Sequence, residues 1–216
     1  MDANIFLHET DANIFLHEIK NSLSNIYAIS ELLGSAEQDE VKKLSLLLRN
    51  SVDQIKAIER DYDIYRKSGK EQITNDLIQL DAFLFDIINE HKSTADKYRI
   101  NIISNIKPCK ICTDKTKLKQ VISNLLSNAI KYTMPKGHIT ITYVNNTITI
   151  RDSGIGMSKI ELENLGTEFY RSKRIDRDGT GLGWALIKKI TSMMNWKILV
   201  SSILHKGTVV TIELDC

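Results

Sequence analysis

Three clusters in the second half of the chain have the residue types needed to bind a nucleotide. In the first, "NLLSNAIK", Asn124, Asn128 and Lys131 recur at spacings of four and three residues, so on a helix they share one face. Two amides and an ammonium on one face can hold a hydrated magnesium ion and phosphate oxygens. Leucine and isoleucine occupy the other face, so the solvated side of an amphipathic helix is the alternative interpretation.

The second cluster is "IRDSGIGM", in which Asp152 closes an alternating strand and Gly154 and Gly156 follow. A carboxylate at a strand end can accept a hydrogen bond from an exocyclic amine. Glycines there would let a flat ring approach the backbone. A hairpin turn is the alternative, because DxGxG alone is a weak motif.

The third cluster is "DGTGLGWALIKK", where Gly179, Gly181 and Gly183 lead into a helix. Free N–H groups at the positive end of a helix suit phosphate. The preceding "YRSKRIDRD" is charged, whereas a dinucleotide fingerprint needs a strand there, and the sequence has no GxxxxGK[ST] loop. A flexible surface loop is the alternative.

Two histidines lie in a repeated word, because DANIFLHE occupies residues 2–9 and again residues 11–18. Nine residues of helix turn a side chain by about 900°, which leaves half a turn, so His8 and His17 would face opposite sides. Only His17 is followed by "EIKN" and by a continuing apolar pattern. The pattern therefore predicts His17 on the outer surface of the helical bundle, where another domain can reach it, and an ordinary exposed histidine is the alternative.

The N-terminal third has a heptad-like apolar spacing that predicts two long helices. The predicted positions are Leu16, Ile19, Leu23, Ile26, Ser30 and Leu33, then Val41, Leu44, Leu48, Ser51, Ile55, Ile58, Tyr62 and Tyr65. The connection "GSAEQDE" suits a helical hairpin. Extra apolar residues beside the seam predict that two chains pair into a four-helix bundle. An intramolecular coiled coil docked on the second domain is the alternative.

After the polar stretch "RKSGKEQITN" the period changes, and strands and helices follow one another. Asp81 is a plausible helix N-cap, and Asn145-Asn146 can take the left-handed turn of a hairpin. The predicted fold is an all-α hairpin followed by an α/β two-layer sandwich with a mixed sheet. We expect a helical domain at residues 1–67, a linker at 68–75 and a second domain at 76–216.

Composition restricts the class of protein. Charged residues make up 26% of the chain and the net charge is only +2, so nothing indicates direct nucleic-acid binding. No apolar run reaches the roughly 20 residues of a membrane helix. Cys109 and Cys112 form a lone CxxC, whereas a structural zinc site normally needs four ligands. We expect a cytoplasmic module, and the cytoplasmic part of a larger membrane receptor would have the same composition.

The three clusters, in this order and spacing, resemble the ATP-binding domain of sensor histidine kinases. That superfamily also includes DNA gyrase, a class of heat-shock chaperones and mismatch-repair ATPases. The resemblance spans roughly Asp76 to Leu214, with "EFYRSKR" in the place of the phenylalanine box. The helical part resembles the dimerisation and phosphotransfer domain, with "HEIKN" as its H-box.

The resemblance implies a role for each matching residue. His17 would accept the phosphoryl group, Glu18 its proton, and Asn21 would serve dephosphorylation of the partner. Asn128 would ligate Mg²⁺ with support from Asn124. The other implied contacts are phosphate for Lys131 and Arg171, the adenine amine for Asp152, the base pocket for Tyr132, Gly154 and Gly156, and the flexible lid for Gly179, Gly181 and Gly183.

The family implies an ATP- and Mg²⁺-dependent kinase that acts as a homodimer. It would phosphorylate its own histidine and pass the group to an aspartate of a response regulator, with phosphatase activity as a further possibility of the class. A catalytically silent phosphotransfer or scaffold protein of the same fold is one alternative. A gyrase-like ATPase is another, although such enzymes have a glutamate base where Asn124 stands, and an amide cannot activate water.

Overall fold

The computed structural model describes residues 3–34, 38–68, 72–167, 170 and 180–215. Side chains at positions 3–15, 17, 18, 38 and 39 lie outside this description. The chain divides into two compact units, Met1–Lys67 with Glu168–Leu182, and Ser68–Thr167 with Gly183–Cys216. The predicted boundaries at residues 67 and 76 remain a prediction. None of the described helices is both long enough and apolar enough to span a membrane.

The first unit contains two long helices that pack against each other, α1 (Ala3–Leu33) and α2 (Gln38–Lys67). Helix α1 runs without a break through both copies of the repeat. The predicted positions of α2 from Leu44 to Tyr65 are buried or half-buried. In α1 the prediction is partly wrong, because Leu23 is 52% exposed while Ser22 is 4% exposed.

The helices also carry large apolar side chains that the single chain leaves exposed. They are Leu16, Leu23, Tyr27, Leu32, Val41, Leu46, Leu47, Val52 and Ile64. Exposed apolar side chains in such numbers are typical of a surface that a partner covers. We call these nine residues the exposed apolar set.

The second unit is built on a five-stranded mixed sheet of order β2-β4-β5-β7-β6. Its strands are β2 (Asn101–Asn105), β4 (His138–Val144), β5 (Thr147–Asp152), β6 (Lys197–Ile203) and β7 (Gly207–Glu213). The β2–β4 pair is parallel and the other pairs are antiparallel. A separate antiparallel pair joins β1 (Asp76–Gln79) to β3 (Lys110–Thr113).

Four helices complete this unit: α3 (Leu80–Lys97), α4 (Lys115–Tyr132), α5 (Lys159–Glu163) and α6 (Gly183–Met193). Helix α4 supplies the centre of the core, because Leu118, Val121, Ile122 and Leu126 have no exposed surface. Isoleucines of β4 and β5 that alternate along each strand are also buried. The predicted helical region followed by an α/β sandwich with a mixed sheet is confirmed.

Of two predictions made for the ends of elements, one is confirmed and the other is wrong. Asn145 and Asn146 have φ of 49° and 59°, which confirms the left-handed turn. The prediction of Asp81 as an N-cap is wrong, because α3 begins at Leu80 and its N-cap is Gln79. The Leu80 N–H already bonds the Cys109 carbonyl at 2.9 Å, and Asp81 instead accepts the Gln79 amide at 2.6 Å.

Candidate nucleotide-binding site

Asp152 ends β5 with one oxygen fixed by the backbone. Its Oδ1 accepts the N–H of Gly154 at 2.8 Å and that of Thr208 at 3.2 Å. Among the described residues we find no hydrogen bond to Oδ2. Burial raises the pKa of the carboxyl above its usual value, and the two N–H donors oppose that rise. The carboxylate can therefore offer Oδ2 to a donor on a ligand.

The glycines after Asp152 are needed by the protein's own backbone. A Cβ on Gly154 would meet the carbonyl oxygen of Tyr132. Gly156 has φ of 60°, and a Cβ there would meet the carbonyl oxygen of Ile203. These contacts add a reason for glycine at both positions, beside the expected approach of a flat ring.

The predicted polar face of α4 carries two carboxamides, Asn124 and Asn128, which differ in their hydrogen bonding. Asn124 donates from Nδ2 to the carbonyl oxygen of Gln120 at 2.8 Å. The buried Nδ2 of Asn128 has no hydrogen-bond partner among the described residues. An unpaired buried amide costs free energy, so Asn128 is suited to a polar ligand. Its carbonyl oxygen is a ligand type that Mg²⁺ accepts.

Lys131 and Tyr132 lie at the C-terminal end of the same helix. The Lys131 ammonium is 5.2 Å from the centre of the Tyr132 ring, within cation–π range. The Tyr132 carbonyl oxygen accepts the N–H of Ile155 at 3.1 Å. The backbone thus connects the end of α4 directly to the loop that follows Asp152, which brings the first and second clusters together.

Gly183 brings the third cluster to the same face of α4. It is the first residue of α6, and a Cβ there would lie 2.9 Å from Oδ1 of Asn124 and 3.8 Å from Nδ2 of Asn128. The positive end of the α6 dipole therefore lies beside the two carboxamides. Gly181 has φ of 76°, a conformation that glycine adopts without strain.

Several predicted residues cannot be placed in this way. Arg171 and Gly179 lie outside the described residues, as do the side chains of His17 and Glu18 on α1. Asn21 is described and is exposed on α1. The roles of these residues remain predictions.

Sequence reasoning missed two sets of polar contacts. The Thr208 N–H donates to Asp152, and the Thr208 hydroxyl is in turn hydrogen-bonded to Ser202. In the sequence, only the Gly207-Thr208 pair could have indicated these contacts. Within the first unit, the Thr180 hydroxyl donates to Oδ2 of Asp61 at 2.7 Å. Burial raises the pKa of Asp61, with the Thr180 hydrogen bond opposing the rise. No sequence pattern links residues this far apart in the chain.

Comparison with known proteins agrees with this geometry. Residues 113–216 match the family described as histidine kinase-, DNA gyrase B-, and HSP90-like ATPase. This part of the chain thus resembles that ATPase family. The ATPase domain includes all three clusters, and the resemblance expected from the sequence is confirmed.

Related sequences extend over the N-terminal helices as well. The sensor histidine kinase YvrG of Bacillus subtilis (strain 168) is 28% identical over 208 residues, which is 90% of this chain and 36% of YvrG. The sensor histidine kinase WalK of the same strain is 29% identical over 82% of this chain and 29% of WalK. The chain thus spans about a third of the length of these relatives.

Solved structures share the fold. The histidine kinase AdeS of Acinetobacter baumannii has a TM-score of 0.74 at 20% identity, covering 92% of this chain and 97% of AdeS. The histidine kinase ThkA, in a complex with the response regulator protein TrrA, has a TM-score of 0.77 at 20% identity. That match covers 96% of this chain and 61% of ThkA.

Proposed function

We propose that this chain is the ATP-dependent catalytic core of a protein-histidine kinase. The observation that carries the proposal is that residues of all three clusters meet along the C-terminal half of α4. Gly183 lies against Asn124, and the loop after Asp152 bonds the Tyr132 carbonyl. The names of YvrG and WalK, both sensor histidine kinases, agree with that chemistry.

The proposed nucleotide contacts follow from the available atoms. Oδ2 of Asp152 accepts a hydrogen bond from the adenine amine, and Lys131 with Arg171 meets phosphate oxygens. Asn128 would ligate Mg²⁺ with support from Asn124, and the ion would neutralise phosphate charge when bound. The α6 terminus at Gly183, with Gly179 and Gly181 before it, presents N–H groups to phosphate.

The proposed reaction is transfer of the γ-phosphoryl group to His17. A histidine with a pKa of about 6.5 is mostly neutral at pH 7, so one ring nitrogen can attack phosphorus. A P–N bond forms as the bond to the β-phosphate oxygen breaks, ADP leaves, and Glu18 accepts the imidazole proton. The phosphoryl group then passes to an aspartate carboxylate of a response regulator.

The partners are also part of the proposal. The exposed apolar set fits a second copy of the same helices, which would complete a four-helix bundle. A receiver domain is the expected acceptor, and ThkA likewise forms a complex with the response regulator protein TrrA. Asn21 is proposed to serve dephosphorylation of the regulator, and the protein is proposed to act in the cytoplasm, as part of a larger receptor.

A silent scaffold of the same fold is the second candidate. The unpaired amide of Asn128 argues against it, since a protein that binds no nucleotide gains nothing from that cost. A simple ATPase is also disfavoured, because Asn124 carries no carboxylate that could activate water.

The proposal is tested by incubating the protein with γ-labelled ATP and Mg²⁺. We expect protein-bound label that is lost in acid and kept in base, as for a phosphohistidine. His17→Ala should abolish the label, and His8→Ala is the matched control that should retain it. Label that survives in His17→Ala, or label that is stable in acid, would contradict the proposal.

A further inference from the structure

Three polar residues form a row across adjacent strands, beginning at Asp152. Ser202 on β6 is directly opposite Thr208 on β7. On the other side of β7, Arg151 of β5 is opposite Val209, so the next antiparallel position sets Asp152 opposite Thr208. Opposite residues share one face of a sheet, so the three side chains are on the same face.

The Ser202 hydroxyl has three polar neighbours. It accepts the N–H of Met157 at 2.8 Å, donates to the Gly207 carbonyl oxygen at 3.1 Å, and lies 2.8 Å from Oγ1 of Thr208. A hydroxyl has one proton and two lone pairs. All three contacts are satisfied together only when Ser202 donates to Gly207 and Thr208 donates to Ser202.

These neighbours are the groups that hold Asp152. The Thr208 N–H donates to Oδ1 of Asp152, and a Cβ on Gly207 would meet the Asp152 carbonyl oxygen. Met157 lies in the same loop as Gly154, whose N–H also donates to Oδ1. Ser202 thus connects the two segments that donate to Asp152: the loop that contains Gly154 and Met157, and the start of β7 at Gly207 and Thr208.

We propose that Ser202 is a positioning residue for recognition of the purine base. Its hydroxyl fixes the two backbone donors on Oδ1 of Asp152, so Oδ2 keeps one orientation. It also accepts the hydrogen bond of the Thr208 hydroxyl, so the Thr208 oxygen has only lone pairs left for other partners. The fixed Oδ2 is an acceptor, so it suits the exocyclic amine of adenine and opposes the carbonyl oxygen that hypoxanthine has at the same position. The inference rests on the proposed adenine role of Asp152.

The test compares binding of ATP and inosine triphosphate by calorimetry in the presence of Mg²⁺. Ser202→Ala should weaken ATP binding about fivefold, the effect of one neutral hydrogen bond, and change inosine triphosphate binding by less than about twofold. Ser202→Thr should restore ATP affinity. Ser201→Ala, a change at the exposed neighbouring serine on the same strand, should leave both affinities unchanged.

A second comparison uses Asp152→Asn as the background. If Ser202 acts through Asp152, Ser202→Ala should add nothing to the loss caused by Asp152→Asn. Should Asp152→Asn leave ATP affinity unchanged, the adenine role itself would be wrong. If Asp152→Asn weakens binding but Ser202→Ala adds its own independent loss, or lowers both nucleotides equally, the positioning role would be wrong.

Thermal unfolding of each variant shows whether it is folded. If Ser202→Ala does not fold, Thr208→Val removes the same hydroxyl contact from the opposite strand. It should lower the preference for ATP over inosine triphosphate in the same way. An unchanged preference in Thr208→Val would overturn the inference.

Discussion

A Cβ on Gly183 would lie 2.9 Å from Oδ1 of Asn124, so the first residue of α6 and the polar face of α4 are in direct contact. Two segments separated by almost sixty residues thus form one surface. Because this contact is so close, a side chain at position 183 should disturb the Asn124 amide.

Gly183→Ala should therefore weaken binding of ATP with Mg²⁺. The added methyl group must displace the Asn124 amide or the start of α6, a strain of about 1–3 kcal/mol, which corresponds to a loss of about tenfold in affinity. Calorimetric titration measures the change. Gly34→Ala is the control, because its nearest neighbour atom would be 3.4 Å away. Equal affinities in the two variants would show that the contact does not matter for binding.

ATP affinity should fall as the pH is lowered, with a midpoint above 3.8, the usual carboxyl pKa. Burial raises the folded-state pKa of Asp152, so protonation removes the acceptor at a higher pH than for an exposed aspartate. Binding measured from pH 8 to pH 5 tests this. Asp152→Asn should bind more weakly and lose this part of the pH dependence, which separates it from titration of the nucleotide.

The raised pKa of Asp152 also affects stability, because it makes the ionised carboxylate unfavourable in the folded protein without ligand. A carboxyl whose folded pKa is raised favours the folded state below the unfolded pKa, and this contribution is lost as pH rises through the folded pKa. At neutral pH the Asp152 carboxylate is therefore a cost to the unliganded protein. Asp152→Asn should unfold at an equal or higher temperature than the parent without ATP, and a clear fall in melting temperature would contradict this.

Thr180→Val should destabilise the first unit. The substitution keeps the shape of the side chain but removes the donor to Asp61, leaving a largely buried carboxylate without this hydrogen bond. Loss of a hydrogen bond to a charged group costs about 1–3 kcal/mol in free energy of unfolding. Urea unfolding of Thr180→Val, Asp61→Asn and the double variant gives the coupling, and purely additive effects would argue against the contact.

Leu23→Asp should prevent dimerisation without disturbing the hairpin. Leu23 is 52% exposed in the single chain, so its burial requires a second copy, and an unpaired charge there would cost several kcal/mol. Sedimentation velocity at low micromolar concentration measures the mass. Asn25→Asp, at an exposed polar position of the same helix, should remain dimeric. A dimeric Leu23→Asp would place the interface elsewhere.

Asn21→Ala should leave phosphorylation of His17 intact and slow the loss of phosphate from the response regulator. Asn21 is exposed on α1, where it is accessible to a partner, and its amide could orient a water molecule. Both reactions are followed with labelled protein. Equal damage to both would instead indicate a structural role.

Local patterns predicted the elements better than the contacts between them. The spacing of Asn124, Asn128 and Lys131 was sufficient to place them on one face of α4, because helical phase depends only on nearby sequence. Helix α5 was not predicted, since five residues are too few to show a period. Asp81 was misread because the helix starts two residues earlier than predicted, at Leu80, whose N–H donates a tertiary hydrogen bond to the Cys109 carbonyl.

The alignment of Ser202 with Asp152 was not predictable from sequence. It depends on the register of three strands, two of which lie about fifty residues further along the chain than Asp152. Likewise, the apolar spacing of α1 predicted one seam through Leu23, and only the packing shows that Ser22 is buried while Leu23 is exposed.

The unbroken course of α1 restricts how a duplication can act on a helix. A nine-residue period raises the second copy by about 13.5 Å and rotates it by half a turn, so the copies differ in both height and face. Periods of about 7, 11 or 18 residues would return a histidine to nearly the same face. A repeat of nine residues therefore duplicates the sequence but places the second copy on the opposite face of the helix. A duplication that adds a second phosphorylatable histidine on the same face of a helix must therefore have a length close to a whole number of helical turns.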